Sequence, residues 1–213
     1  MALTVLSVLA APAAEARRKP RDTLQVMRAT DPVTRVSTCA VVASDYVGRT
    51  RFTQSGALYP VVESNGTYGL LVGVSSGGRL RLPTGDILWA VDNLPHRELR
   101  AADNPGAPAM DGPPEATVEA MTAYGMALSQ AMTATSTMAS GDKAREMLAE
   151  MLGGTSLLFR SAGAGPATGL PDYSALVAGQ VNEKGELRAI PLDASFRNGL
   201  RECGLIDQGE TGE

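Results

Sequence analysis

The sequence has little of what several function classes require. Its 213 residues include one histidine, two cysteines, one tryptophan, five tyrosines and three phenylalanines. So few aromatics leave little to stack on bases or sugars, and a formal net charge of −4 gives no basic excess to neutralise phosphates. Nucleic acid is therefore not an expected partner. No run approaches the roughly 20 apolar residues that a membrane-spanning helix needs, so no membrane span is expected. Two cysteines without CxxC spacing and one distant histidine do not make a tetrahedral site. The aspartates Asp86, Asp92, Asp103 and Asp111 lack the spacing of a calcium-binding loop and read as turn and cap residues. No metal and no cofactor are expected.

What the sequence does contain is 44% hydrophobic residues, enough for one domain with a core of its own. Its first sixteen residues, MALTVLSVLAAPAAEA, form a short apolar run, and Ala14-Glu15-Ala16 fits the small-residue cleavage pattern of a secretory signal. The basic cluster Arg17, Arg18, Lys19 and Arg21 follows the run instead of preceding it, so a start upstream of Met1 would be needed to supply the usual leading charge. The expectation is an exported, periplasmic or secreted protein whose mature chain begins near Arg17.

Export gives the two cysteines a meaning. Cys39 lies in the strand-like RVSTCAVVAS and Cys203 in the helix-like SFRNGLRECGLI. In an oxidising compartment an even count favours pairing, and only one intramolecular pair exists, Cys39 with Cys203. Closing so long a loop removes about 5 kcal/mol of denatured-state entropy in the chain-entropy model.

Residues 17–35 read as an N-terminal arm. From 36 to 100, short apolar stretches alternate with turn residues, which predicts an antiparallel meander. Asn65-Gly66 between ALYPVVES and TYGLLVGV predicts a hairpin with a type I′ turn, and RLRL, residues 79–82, reads as a further strand. In DILWAVD the residues Ile87, Trp89 and Val91 share one face, so Trp89 is a core residue; Pro95 ends that strand and His96 follows the turn.

Residues 101–114, rich in proline and glycine, read as a linker, and residues 115–152 as a helical hairpin insert. The first helix, Glu115 to Ser136, carries Met121, Tyr124, Leu128 and Met132 on one face. The second, Asp142 to Leu152, carries Ala144, Met147, Leu148, Met151 and Leu152, with Asp142 as N-cap and Gly153-Gly154 as the stop. Residues 153–213 supply strands and a helix that complete the same domain, including a hairpin around Asn182-Glu183-Lys184-Gly185. The predicted fold is α+β: an antiparallel β-rich domain, a sandwich or curved sheet, interrupted by an α-helical hairpin.

Three patterns bear on chemistry. Gly73-Val74-Ser75-Ser76-Gly77 matches the nucleophile-elbow pattern, and Asp92 and His96 follow in the order an α/β-hydrolase uses, which makes Ser75, Asp92 and His96 the candidate catalytic set. An elbow needs a helix after the serine, whereas here RLRL and a proline follow. Most of the nine methionines lie between Met110 and Met151, but steps of five and six residues scatter Met121, Met126, Met132 and Met138 around a helix, as core residues and not as thioether ligands for copper. Asn65-Gly66-Thr67 matches a glycosylation acceptor already accounted for by the hairpin.

No coherent catalytic set emerges. The function expected is that of a non-catalytic envelope protein binding a protein partner or small ligand through the helical insert or strand-edge loops. The alternatives are a serine-type or acid-pair hydrolase, and a structural homodimer joined through the insert.

Overall fold

The structure, a computed structural model, describes residues 23–47, 50–55, 57–106, 117–162 and 187–207. The secretory-signal segment 1–16, the basic cluster after it, most of the linker and the hairpin around 182–185 lie outside the described residues.

Eleven strands and three helices follow one another along them. Strand β1 (Leu24–Thr30) turns into β2 (Ser37–Ala43), and a small ribbon of β3 (Asp45–Val47) and β4 (Thr50–Phe52) leads to β5 (Leu58–Asn65) and β6 (Gly69–Ser76). Then come β7 (Ile87–Val91), β8 (Arg97–Leu99), a 3-10 turn at Ala101–Asp103, α1 (Val118–Thr133), β9 (Ser136–Ala139) and α2 (Gly141–Gly153). The chain ends its described part with β10 (Ser156–Ser161), β11 (Ile190–Pro191) and α3 (Ala194–Glu202). All pairings are antiparallel. One sheet has the order β1-β2-β5-β6-β9, the other β11-β10-β7-β8.

Alternation in the strands decides what each face carries. The register aligns Val26, Val41, Val62, Val72 and Ala139 across the five strands of the first sheet. This inner face meets α2, α3 and the second sheet in one core, where Val41, Trp89, Met147, Leu157, Phe196 and Leu200 are all buried. Trp89 stacks on Phe159 with ring centroids 6.2 Å apart, across the β7–β10 pair. Cys39 and Cys203 are bonded, with Cα atoms 5.4 Å apart, so α3 is tied covalently to β2.

The expected helical hairpin is not what residues 115–152 form. Between the helices, Ser136–Ala139 makes β9, which joins the edge of the first sheet beside β6. The physical reason lies in TATSTMAS: past Thr133, the last residue of α1, the β-branched Thr135 and Thr137 are poor helix formers. The Thr137 hydroxyl is also buried, donating to Gly85 O at 2.6 Å and sharing a 2.6 Å hydrogen bond with the Thr84 hydroxyl. The two helices face different surroundings. In α2 the expected residues Ala144, Met147, Leu148 and Met151 are buried, although Ser140, not Asp142, is the N-cap. In α1 the buried residues are Ala127 and Ala131, while Met121, Leu128 and Met132 are exposed. The small side packs on the body and the large apolar side faces outward.

Other local expectations are corrected too. The expected arm contains β1, an edge strand of the main sheet. RLRL forms no strand; Leu80 and Leu82 are exposed on an irregular connection. The β5–β6 hairpin forms, but Asn65 builds it with its side chain. Its Oδ1 accepts from Thr67 N at 2.9 Å and Tyr68 N at 3.1 Å, and the positive φ falls on Gly69 instead of on Asn65 and Gly66.

Candidate functional site

The outer face of the five-stranded sheet is the side that neither α2 nor α3 covers. Its residues fall into rows set by the register. Val42, Val61, Gly73 and Met138 make one row, and Met27, Ala40, Glu63 and Leu71 the next. Val61, Leu71 and Met138 cluster with Ala40 and Val42 as a small second core. Above this apolar floor lies a cleft of about 780 Å³, bordered by hydroxyls and amides from Thr38, Asn65, Ser75, Asn104 and Ser136.

Each wall of the cleft has a local cause. At one end Tyr59 is buried, and its hydroxyl donates to Asp45 Oδ2 at 2.5 Å while accepting from Gln54 N at 2.8 Å, which fixes the β3–β4 ribbon beside the sheet. Burial first, and then the Asp45 carboxylate, push the Tyr59 phenol above its ordinary range, so it acts as a structural donor. A Cβ on Gly77 would come within 2.8 Å of Thr53 Cβ, so only glycine lets the chain leave β6 beneath this ribbon. On the opposite side Asn104 lies against the outer edge of β9. Its Nδ2 donates to Ser136 O at 2.8 Å and its Oδ1 accepts from Met138 N at 2.7 Å. In the floor, Glu63 is half-buried, and its Oε1 accepts from Asn65 Nδ2 at 2.7 Å.

The candidate catalytic residues do not converge. Ser75 sits in β6, where its hydroxyl donates to Thr135 O at 3.4 Å, and no helix follows that strand. Asp92 ends β7 in the second sheet, with φ of 47°. Its carboxylate accepts four hydrogen bonds, from the backbone N–H and the hydroxyl of both Thr155 and Ser156, at 2.8–3.0 Å. These donors, the Thr155 backbone N–H first, hold the Asp92 carboxyl below its ordinary range. Asp92 thus caps the start of β10. His96 is exposed in the turn before β8. Among the described residues no hydrogen bond joins any two of Ser75, Asp92 and His96.

Several residues that organise the molecule carry no signal in the sequence read by motif. Arg97 of β8 grips Glu150 of α2 through Nε and Nη2, at 2.7–3.0 Å, and reaches Glu146 through Nη1 at 3.0 Å, tying α2 to the second sheet. Asn104 belongs to the same class. Glu63 interrupts an apolar strand at an outward position, a signal that alternation alone could have flagged. A second, shallower groove of about 390 Å³ runs beside the disulfide, lined by Arg28, Thr38, Cys39, Glu202 and Cys203 among others.

Among the described residues, no group of three or more His, Cys, Asp or Glu side chains is gathered to hold a metal ion, and no helix is long and apolar enough to cross a membrane. Comparison of the chain with protein-family models, with curated proteins and with solved structures finds no match.

Proposed function

We propose that the protein is a non-catalytic binding protein that works outside the reducing cytoplasm and holds a small ligand on the outer face of its five-stranded sheet. One observation carries this: a cleft of about 780 Å³ with an apolar floor drawn from separate strands and a rim of hydrogen-bonding groups. Volumes of about 300–1,000 Å³, apolar linings and a few placed polar groups are the usual attributes of small-molecule sites. The bond between Cys39 and Cys203 supports an oxidising compartment.

The test uses N-phenyl-1-naphthylamine, a neutral apolar dye, titrated into the oxidised full chain. Saturable one-to-one enhancement of its emission is expected. Ala40 lies on the floor of the cleft, so Ala40→Phe should fill the space and weaken the dye at least about tenfold. Equal binding to both proteins, or none to either, would remove the cleft as a ligand site.

A second reading, a homodimer joined through α1, has its own support. Val118, Met121, Leu128 and Met132 are exposed and, with Gly125 between them, recur at steps of three and four along the helix. This is the spacing of a helix–helix seam. Glu119 is the only charged residue of α1, so two copies could meet without repulsion. Light scattering on a sizing column tests it: a dimer that Leu128→Lys converts to monomer supports the seam, and a monomer throughout the micromolar range rejects it.

A further inference from the structure

We infer that the cleft takes an amphiphilic amine, an elongated apolar body carrying one cationic nitrogen that meets Glu63. The inference rests on the cleft being the ligand site and goes further, to the chemistry of what fills it.

Glu63 is the feature of the floor that needs a reason. It stands in the row Met27, Ala40, Glu63, Leu71, with an alanine and a leucine as its cross-strand neighbours. Substituting any apolar residue there would extend the second core, yet the position carries a carboxylate. Among the described residues that carboxylate receives one hydrogen bond, from Asn65, and takes part in no ion pair. The guanidiniums that border the cleft do not supply one. Arg28 is engaged with Glu202, donating to its backbone O at 2.9 Å, and Arg81 is exposed at the rim.

A half-buried carboxylate with apolar flanks is less completely hydrated than a surface one, so an arriving cation gains more there than it would in open water. An ammonium group offers up to three donors, and the lone pairs of Glu63 not used by Asn65 can accept them. The apolar side chains on both sides accept the hydrocarbon body. A fatty acid of the same length would bring a second negative charge to the floor, and an alcohol would leave the carboxylate uncompensated. Glu63 thus discriminates among amphiphiles by charge, while the rows around it bind them without regard to charge.

Calorimetric titration of the oxidised full chain with decylamine, 1-decanol and decanoate, each below its aggregation concentration, separates the outcomes. Decylamine should bind tightest, roughly 10- to 100-fold above decanol, the range expected of a hydrogen bond to a charged group. Glu63→Gln should bring decylamine down to decanol and leave decanol unchanged, while Glu63→Asp should keep the preference. If decylamine and decanol bind wild type equally, or decanoate binds best, the role of Glu63 is overturned although the cleft still holds apolar ligands. If none of the three binds, both the role of Glu63 and the cleft as a ligand site fall. The ranking on wild type decides the matter even where Glu63→Gln does not fold.

Discussion

Asn104 pairs with Met138 as a neighbouring strand would, accepting its backbone N–H at 2.7 Å and donating, through the same carboxamide, to Ser136 O at 2.8 Å. One side chain thereby satisfies two polar groups on the open edge of β9, where a stretch of unpaired backbone would otherwise be offered to other chains.

Asn104→Ala should cost about 1–3 kcal/mol, since it strands a partly buried donor and acceptor together. Urea unfolding followed by circular dichroism reads the loss. Asn104→Asp keeps the acceptor for Met138 and loses the donor for Ser136, so it should fall between wild type and alanine. If alanine is as stable as wild type, the edge is satisfied by water.

Reduction of the Cys39–Cys203 bond, or Cys39→Ser with Cys203→Ser, should destabilise the fold by about 2–5 kcal/mol, the usual cost of removing a native bridge. The midpoint of guanidinium unfolding should drop accordingly. An unchanged midpoint would mean that α3 is held by the burial of Phe196 and Leu200 and by its hydrogen bonds to Leu24, Arg28 and Leu152.

Asp92 should contribute to acid lability. Its carboxyl is lowered in the folded state by the N–H and hydroxyl donors of Thr155 and Ser156, so its stabilisation is present above the unfolded value, about pH 4, and fades as pH falls through the folded value. Asp31, lowered by the backbone N–H groups of Thr34 and Val33, acts in the same direction. Burial alone would raise Asp193, but hydrogen bonds from Ser195 and the Phe196 backbone outweigh it, and it too is lowered. Asp92→Asn should therefore shrink, not abolish, the fall in melting temperature between pH 5 and pH 2. An acid limb identical to wild type would show that the four hydrogen bonds do not distinguish carboxylate from amide.

Two adjacent glycines at the end of α2 should respond oppositely. A Cβ on Gly154 would run into Val91 Cγ1 and come within 3.0 Å of Asp92 Oδ2, so Gly154→Ala should cost about 1–3 kcal/mol. A Cβ on Gly153 meets nothing within 4 Å, and Gly153→Ala should be neutral or stabilise by up to about 1 kcal/mol. Thermal melts of the two variants compare them directly; equal effects would refute close packing between α2 and β7.

The elements that could be read from the sequence are those whose evidence is local. Alternation in DILWAVD is enough to bury Trp89; the disulfide is the exception, since two thiols 164 residues apart are paired by count alone. The α1 stripe shows where such reasoning stops: periodicity finds Met121, Leu128 and Met132 on a common side, but only tertiary contact decides that Ala127 and Ala131 face the body instead. In the same way TATSTMAS reads as the tail of a helix until β6 offers it an edge. Alternation marks Glu63 as a polar interruption of an outward-facing apolar series, but Met27, Ala40 and Leu71 come from three other strands, so the row they share with it is visible only in the register. The Ser75 motif is the converse case: five residues fit a pattern whose geometry depends on a following helix, and the sequence itself already offers RLRL and a proline there instead.

The position of Cys203 has a consequence for how the molecule is made. Its codon is translated after those of every strand described, from β1 to β11, so the sulfur on β2 has no partner until the whole architecture has left the ribosome. Both sheets can therefore begin to assemble before that bond is available to hold α3. The covalent tie is thus a C-terminal addition, closing a span of 164 residues between β2 and the end of α3.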